Sequence, residues 1–309
     1  MLWAVHLAYA LLLPPLLVGL LRGTKARLQG RQGPPIWQAY ADLLKLARKG
    51  ETVSETATWL FRAAPLVSLG CLLACAVSVP WLGLPTPLRG DLFLLVYLLA
   101  MGKFAVSLAA LDPGTTFGAL GASREATVGV QAEPALVLGL GALAVTARSS
   151  ELAVLLAARP GAELGALVPL VVVALWLAIN AELARMPIDD PTTHLELTMI
   201  HEALILENSG RNLAVTELAV GLKLAVLFGL LAQVLLMAWP PLPPLSAHVA
   251  SLAIMVGACV VVALTETVMV RLRWRRIPAL MAFALTAATM ACLMVARKDR
   301  KSTRLNSSH

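Results

Sequence analysis

Charge is what this sequence has least of: Asp, Glu, Lys and Arg make up 14% of its 309 residues, against 59% hydrophobic residues. An ordinary soluble domain carries roughly 25% charge. So few charges leave too little polar surface to cover a water-facing globule of this length, which excludes a soluble globular enzyme. Cysteine is scarce too. Cys71, Cys75, Cys259 and Cys292 all fall in apolar runs and none forms a CxxC pair, so the grouped thiolates that iron-sulfur, nickel or structural zinc sites need are missing. Cys71 and Cys75, one helical turn apart, read as small apolar packing residues. His194 and His201, seven residues apart, would share a helical face with Thr198, but the sequence from His201 is HEALI, without the second histidine of HExxH, which disfavours a metal site there. The glycine-rich GTTFGALGASRE at 114–125 lacks the lysine and spacing of a phosphate loop. With no Ser-His-Asp or Cys-His arrangement either, the chain carries no bond-making chemistry of its own.

What it has in abundance is apolar length. Crossing a hydrocarbon core of about 30 Å takes about 20 helical residues. Runs of that kind are predicted at 1–21, 63–84, 91–111, 133–147, 164–183, 214–238, 247–270 and 277–296. The fourth is broken by Arg148, Ser149, Ser150 and Glu151, and the apolar stretch that resumes at Leu152 reads as part of a span or as a re-entrant piece. Pro14 and Pro15 predict a kink in the first span. The expected fold is an all-α polytopic membrane protein of about eight transmembrane helices, with a cytoplasmic amphipathic helix and ordered cytoplasmic loops.

The basic residues then orient it. Loops 22–62, 112–132, 184–213 and 271–276 share one side and hold 15 Lys and Arg, against Arg89, Arg148 and Arg159 opposite. By the positive-inside rule the rich side is cytoplasmic and the N-terminus lies outside. The first run has no charged n-region and leads into a basic loop, so it reads as a retained helix in the inner membrane. Residues 1–296 form one integral membrane domain. The segment 297–309 carries five basic residues and one acid, reads as a non-native or disordered tail, and accounts for four of the net +7 charges.

Three loops on the basic side stand out. In KARLQGRQGPPIWQAYADLLKLARK at 25–49, a Gly-Pro-Pro turn precedes an amphipathic helix with Ile36, Tyr40, Leu43, Leu44 and Ala47 as its apolar stripe. Such a helix suits a membrane surface. The second loop is LDPGTTFGALGASRE at 111–125. The third, RMPIDDPTTHLELTMIHEALILENSGR at 185–211, packs five acids, two histidines and two arginines into 27 residues interleaved with apolar ones, so it is expected to pack against something.

Together these stretches resemble the membrane subunits of the respiratory complex I subunit 1 family. The resemblance is closest to its hydrogenase branch, the formate hydrogenlyase subunit 4 and hydrogenase-4 component C type. The matching segments are KARLQGRQGP with ADLLKLARK, LDPGTTFGALGASRE, and ARMPIDDPTTHLELTMIHEA followed by ENSGR, in order along residues 1–296. Quinone-reducing relatives carry a longer insertion before the ADLLKL-like helix and an FDLPEAESE-like acidic loop. The short Pro34 to Asp42 stretch and IDDPTTHLELT here favour the hydrogenase type, although Asn208 stands where many such relatives have Tyr. The resemblance implies docking of hydrogenase large and small (iron-sulfur) subunits, with antiporter-like membrane subunits alongside. The nickel-iron centre and iron-sulfur clusters would lie in those partners, with no cofactor in this chain and no nucleic-acid partner.

Ionisable groups inside spans are costly and mark function by default. Lys103, Glu133, Glu182, Glu217, Lys223 and Glu266 are the candidates for an ion path, with Lys103 and Lys223 the deepest. The competing reading is structural: the four glutamates lie near span ends and pair with loop arginines. Arg27, Arg31, Asp42, Arg124, Arg185, Asp189, Asp190, His194, Glu196, His201 and Glu202 are expected to form the docking face, or alternatively to pair among themselves. The expected function is the anchoring and ion-coupling subunit of a membrane-bound nickel-iron hydrogenase. The alternatives are a quinone-binding subunit of an NADH dehydrogenase type enzyme and a stand-alone transporter, though no repeat relates the two halves.

Overall fold

The structure, a computed structural model, describes residues 2–161, 165–189 and 200–306, with side chains through 298. Helix α1 (Leu2–Leu28) carries Pro14 and Pro15 in its middle, and its polar last turns, with Arg22, Lys25 and Arg27, stay helical where a loop was expected. The amphipathic helix is α2 (Gln38–Arg48). Its inward face is Ala39, Asp42, Leu43 and Leu46, while Trp37, Leu44 and Ala47 are exposed. The expected stripe is thus rotated toward Asp42, which the Arg22 guanidinium draws inward at 3.6 Å.

Helix α3 (Trp59–Ser78) is capped by Thr58, whose hydroxyl accepts from the Leu60 N–H. The Asp112 carboxylate accepts from the backbone N–H and the hydroxyl of Thr58 at 2.6 and 2.7 Å, joining the start of α3 to the end of α4 (Leu92–Leu111). The LDPGTT segment is therefore a turn. Gly114 takes φ +73°, open to glycine, and the Thr115 hydroxyl caps the next helix by accepting from the Gly118 N–H.

That helix, α5, runs Thr116–Ala147, so the fourth span begins at Thr116 instead of 133 and absorbs most of the second expected loop. Ser123, Arg124 and Glu125 lowered the apparent hydropathy there, but the two charged residues are met by protein: Arg124 lies over the Trp274 ring at 5.7 Å and Glu125 lines an internal cavity. Arg148, in a left-handed conformation at φ 52°, ends α5. The Leu92 N–H donates to the Ser150 carbonyl and the Leu152 N–H to that of Gly90. The resumed apolar stretch is then only α6 (Leu152–Ala157), which turns Leu152, Leu155 and Leu156 inward and spans nothing.

Helix α7 (Leu167–Glu182) has 16 residues, about 24 Å of rise, so its C-terminal end stops short of a full crossing. After α8 (His201–Ile205) come α9 (Gly210–Leu236) and α10 (Pro244–Val268). A single 3-10 turn leads into α11 (Ile277–Asn306), whose backbone stays helical past 296. Seven helices, α1, α3, α4, α5, α9, α10 and α11, are long and apolar enough to cross a membrane, with α7 the shorter eighth. The chain is a multi-pass membrane protein.

The packing is a closed circuit. Helix α9 touches α3, α3 touches α4, α4 touches α5, α5 touches α7, and α7 returns to α9. Helices α1 and α10 pack on the outer side of α9, and α11 on α5 and α7. Lipid tails are as apolar as leucine, so close packing and polar contacts, not burial from water, hold such a ring. Its basic end is stitched by the ENSGR motif. The Ser209 hydroxyl donates to the Thr52 carbonyl at 2.6 Å and accepts from the Thr52 N–H at 2.8 Å, and Asn212 donates to the Asn208 side-chain oxygen at 2.7 Å. Gly210, at φ +50°, sits so close to Gly50 that a Cβ would lie 2.5 Å from the Gly50 carbonyl oxygen.

Candidate functional site

Every helix of the ring contributes to a cavity of about 70 Å³ at its centre, where Lys103 (α4), Glu125 (α5), Glu182 (α7) and Lys223 (α9) converge with Ser68 of α3. The short α7 is what puts Glu182 there. Because α7 ends at this residue, the carboxylate and the last carbonyls sit inside the bundle, and the cationic residues of α4 and α9 turn toward them. Lys103 Nζ lies 2.7 Å from Glu182 Oε1 and 2.7 Å from Glu133 Oε1; Lys223 Nζ lies 2.9 Å from Glu182 Oε2 and donates to the Glu182 backbone carbonyl at 2.6 Å. The result is an alternating row, Glu133, Lys103, Glu182, Lys223. Lys223 also answers the negative end of the α7 dipole.

Glu182 is almost fully enclosed, with a side-chain exposure of 2%, whereas Glu133 is 37% exposed. Sterically the row depends on Gly129, one turn before Glu133, since a Cβ there would meet Lys103 Nζ at 2.9 Å. Glu125, Gly129 and Glu133 share one face of α5. Glu125 was missed as a candidate, because its role emerges only once α5 is known to begin at Thr116 and place it one face with Glu133.

Toward the basic end lies a second cluster. Glu266 of α10, 1% exposed, receives Lys25 of α1 at 3.0 Å and Arg185 at 3.2 Å. Asp189 pairs with Arg271 at 3.3 Å and accepts from the N–H groups of Ile200 and His201 at 2.9 and 3.3 Å. Glu217 and Asp42 flank Arg22 at 3.7 and 3.6 Å. A cavity of about 150 Å³ opens among Lys25, Arg185, His201, Glu217 and Glu266. Beyond it another of about 350 Å³ lies between α1, α2 and α9, bounded by Pro14, Val18, Leu43, Leu46 and Leu218. Burial pushes the His201 imidazole down from its ordinary 6.5 to about 4, with Arg185 and Lys223 adding to the shift.

The intramembrane acids fall into two sets by their partners. Glu133 and Glu182 pair with the deep lysines, while Glu217 and Glu266 pair with basic residues at helix ends. Glu133 is not near a span end, as expected, but well inside the extended α5.

The expected docking face divides. Arg27 and Arg31 are exposed, and Asp42 is partly so. Arg185 and Asp189 are turned inward, Arg185 onto Glu266 and Asp189 onto Arg271 and two backbone N–H groups, because α7 ends inside the bundle and its following turn must satisfy its own polar atoms. Asp189 thus acts as a staple within the chain. Arg124 belongs to α5, beside Trp274; His201 lines both the central cavity and the one toward the basic end, and Glu202 lines the latter. Asp190, His194 and Glu196 lie outside the described residues. Among the described residues, no group of three His, Cys, Asp or Glu side chains is placed to hold a metal ion.

Comparison with known proteins places this geometry in a lineage. Residues 1–297 match the family model described as NADH dehydrogenase. Formate hydrogenlyase subunit 4 of Escherichia coli (strain K12) is 34% identical over 269 residues, spanning 84% of this chain and 86% of that protein. Hydrogenase-4 component C of the same organism is 34% identical over 232 residues, spanning 73% and 72%. Among solved structures, a chain of the membrane-bound sulfane sulfur reductase, an archaeal respiratory membrane complex, shares the fold with a TM-score of 0.80, covering 95% of this chain and 98% of that one at 18% identity. The chain therefore belongs to the NADH dehydrogenase family, of the complex I subunit 1 type, and is a membrane subunit of a respiratory-type complex.

Proposed function

We propose that this chain is the membrane-anchoring and ion-coupling subunit of a membrane-bound nickel-iron hydrogenase of the formate hydrogenlyase kind. The observation that carries the coupling is the alternating row Glu133, Lys103, Glu182, Lys223 inside the helix ring. Two ammonium groups share one enclosed carboxylate. A change of charge at the basic end redistributes the lysines between their partners, and a proton moves with that redistribution. At the far end of the row the Glu133 side chain is 37% exposed, on a pair of helices, α4 and α5, that also expose the apolar Met101 and Val130. A carboxylate there needs a polar neighbour, which an antiporter-like membrane subunit packed on α4 and α5 supplies.

The hydrogenase assignment is supported by the names of the two relatives, formate hydrogenlyase subunit 4 and hydrogenase-4 component C. The nickel-iron centre and iron-sulfur clusters belong to partner subunits; the four cysteines here lie within helices, at most two of them, Cys71 and Cys75, on one helix. Those partners dock on the basic end, where Arg27 and Arg31 are exposed; that end is cytoplasmic by the positive-inside rule, in the inner membrane.

The test is to purify the complex, reconstitute it in liposomes and measure hydrogen evolution together with proton or sodium uptake. Lys223→Met is expected to leave assembly and hydrogen evolution intact while abolishing most of the gradient. An unchanged gradient refutes the coupling role. The cavity between α1, α2 and α9 favours one second reading, a quinone site; quinone reduction without hydrogen evolution by the same preparation decides for it.

A further inference from the structure

The inner and outer cavities of the site meet at four shared residues, Leu183, Ala184, His201 and Val220. Three of these have side chains with no proton to exchange. His201 is the exception. It opens α8 beneath the end of α7, next to Ala184, whose φ of 47° marks the chain's sharp exit from that helix. Its backbone is anchored independently of the ring, because Asp189, itself paired with Arg271, accepts from the N–H groups of Ile200 and His201. The inner cavity presents Lys103, Glu125, Glu182 and Lys223 to this position. The outer presents Arg22, Lys25, Arg185, Glu202, Glu217 and Glu266.

We propose that His201 is the proton relay between the two cavities, a role that rests on the ion-path reading above and supplies its missing step. A neutral imidazole has one N–H and one lone pair on opposite sides of the ring. A proton arriving on the lone-pair nitrogen from one cavity is matched by release of the proton from the other nitrogen into the second cavity. One proton has then moved, no charge is stored on the ring, and a ring flip turns the N–H and the lone pair back toward their original cavities. Storing charge is what the surroundings oppose, since Lys223 stands on the inner side and Arg185 on the outer, and both disfavour an imidazolium. Carboxylates on both sides, Glu125 and Glu182 within and Glu202, Glu217 and Glu266 without, provide the donors and acceptors.

The experiment uses the whole complex in liposomes, with hydrogen evolution driven by a reduced viologen and the gradient read by a pH-sensitive dye. His201→Gln and His201→Asn, which keep polarity but cannot relay, are expected to cut proton translocation per hydrogen at least tenfold with hydrogen evolution unchanged. His201→Glu, which can relay, is expected to recover a substantial part of the translocation with a displaced pH profile. A normal gradient in His201→Gln overturns the relay, and so does a Glu variant no better than Gln. Failure of all three variants to assemble also overturns it, by assigning His201 a packing role. Glu182→Gln, measured alongside, separates the two levels: a normal gradient there refutes the ion path itself, whereas a normal gradient in His201→Gln alone refutes only the relay.

Discussion

Replacing Glu182 by Gln removes one charge from the centre of a four-charge row and so tests the row most directly. The carboxylate holds one ammonium at 2.7 Å and another at 2.9 Å, and its side chain is 2% exposed. At an effective dielectric of about 20, each such contact is worth about 6 kcal/mol of Coulomb energy before desolvation is counted. Stripping one partner from a buried pair costs about 3–5 kcal/mol in practice, because the surviving charge is left uncompensated. Here the burden falls mainly on Lys223, since Lys103 keeps Glu133 at 2.7 Å. Glu182→Gln should therefore lower the stability of the purified complex by several kcal/mol and abolish most of its gradient. The double variant Glu182→Gln with Lys223→Met removes a charge of each sign, so stability should largely return while the gradient does not. Thermal unfolding followed by tryptophan fluorescence, paired with dye-monitored proton uptake in liposomes, reads both quantities. A double variant that regained the gradient along with stability would show that the row is structural and refute the reasoning. Glu133→Gln is the internal control: with 37% exposure and Lys103 still held by Glu182, it should cost no more than about 1 kcal/mol.

Three further outcomes are expected. His201 is held well below its ordinary value, so the folded state binds fewer protons than the unfolded one between about pH 6.5 and 4; stability should fall as pH drops through that window, and a stability-pH curve for His201→Gln should be flatter there. Gly129→Ala places a methyl 2.9 Å from Lys103 Nζ, the far end of a flexible side chain, so the complex should assemble normally while its gradient falls severalfold in the liposome assay. Gly210→Ala meets the Gly50 carbonyl at 2.5 Å in a left-handed conformation, where backbone on both sides leaves nothing to yield; quantitative immunoblotting of membranes should show the chain strongly depleted, and near-normal levels would contradict that packing.

Composition alone was enough to make this a polytopic membrane protein, because a chain with 14% charge cannot be solvated by water. Apolar run lengths then located the spans, and the motif strings pointed to the family. Those are one-dimensional properties: how long a segment is, how apolar, which residues follow one another. They misled where polar residues are satisfied by protein instead of solvent. Arg124 and Glu125 concealed the first part of α5, and Arg22 and Lys25 concealed the last turns of α1. The six intramembrane charges could likewise be named from the sequence but not partnered. Only the tertiary ring decided that Lys103 joins Glu133 and Glu182, that Lys223 joins Glu182, and that Glu217 and Glu266 face the helix-end cations instead. It also set Asp189 onto Arg271 and the backbone N–H groups of Ile200 and His201, and His201 between two cavities. The physical reason is that pairing depends on depth and rotation, which no sequence spacing encodes across helices. Here both are set by where α7 ends and which helices close the circuit around it.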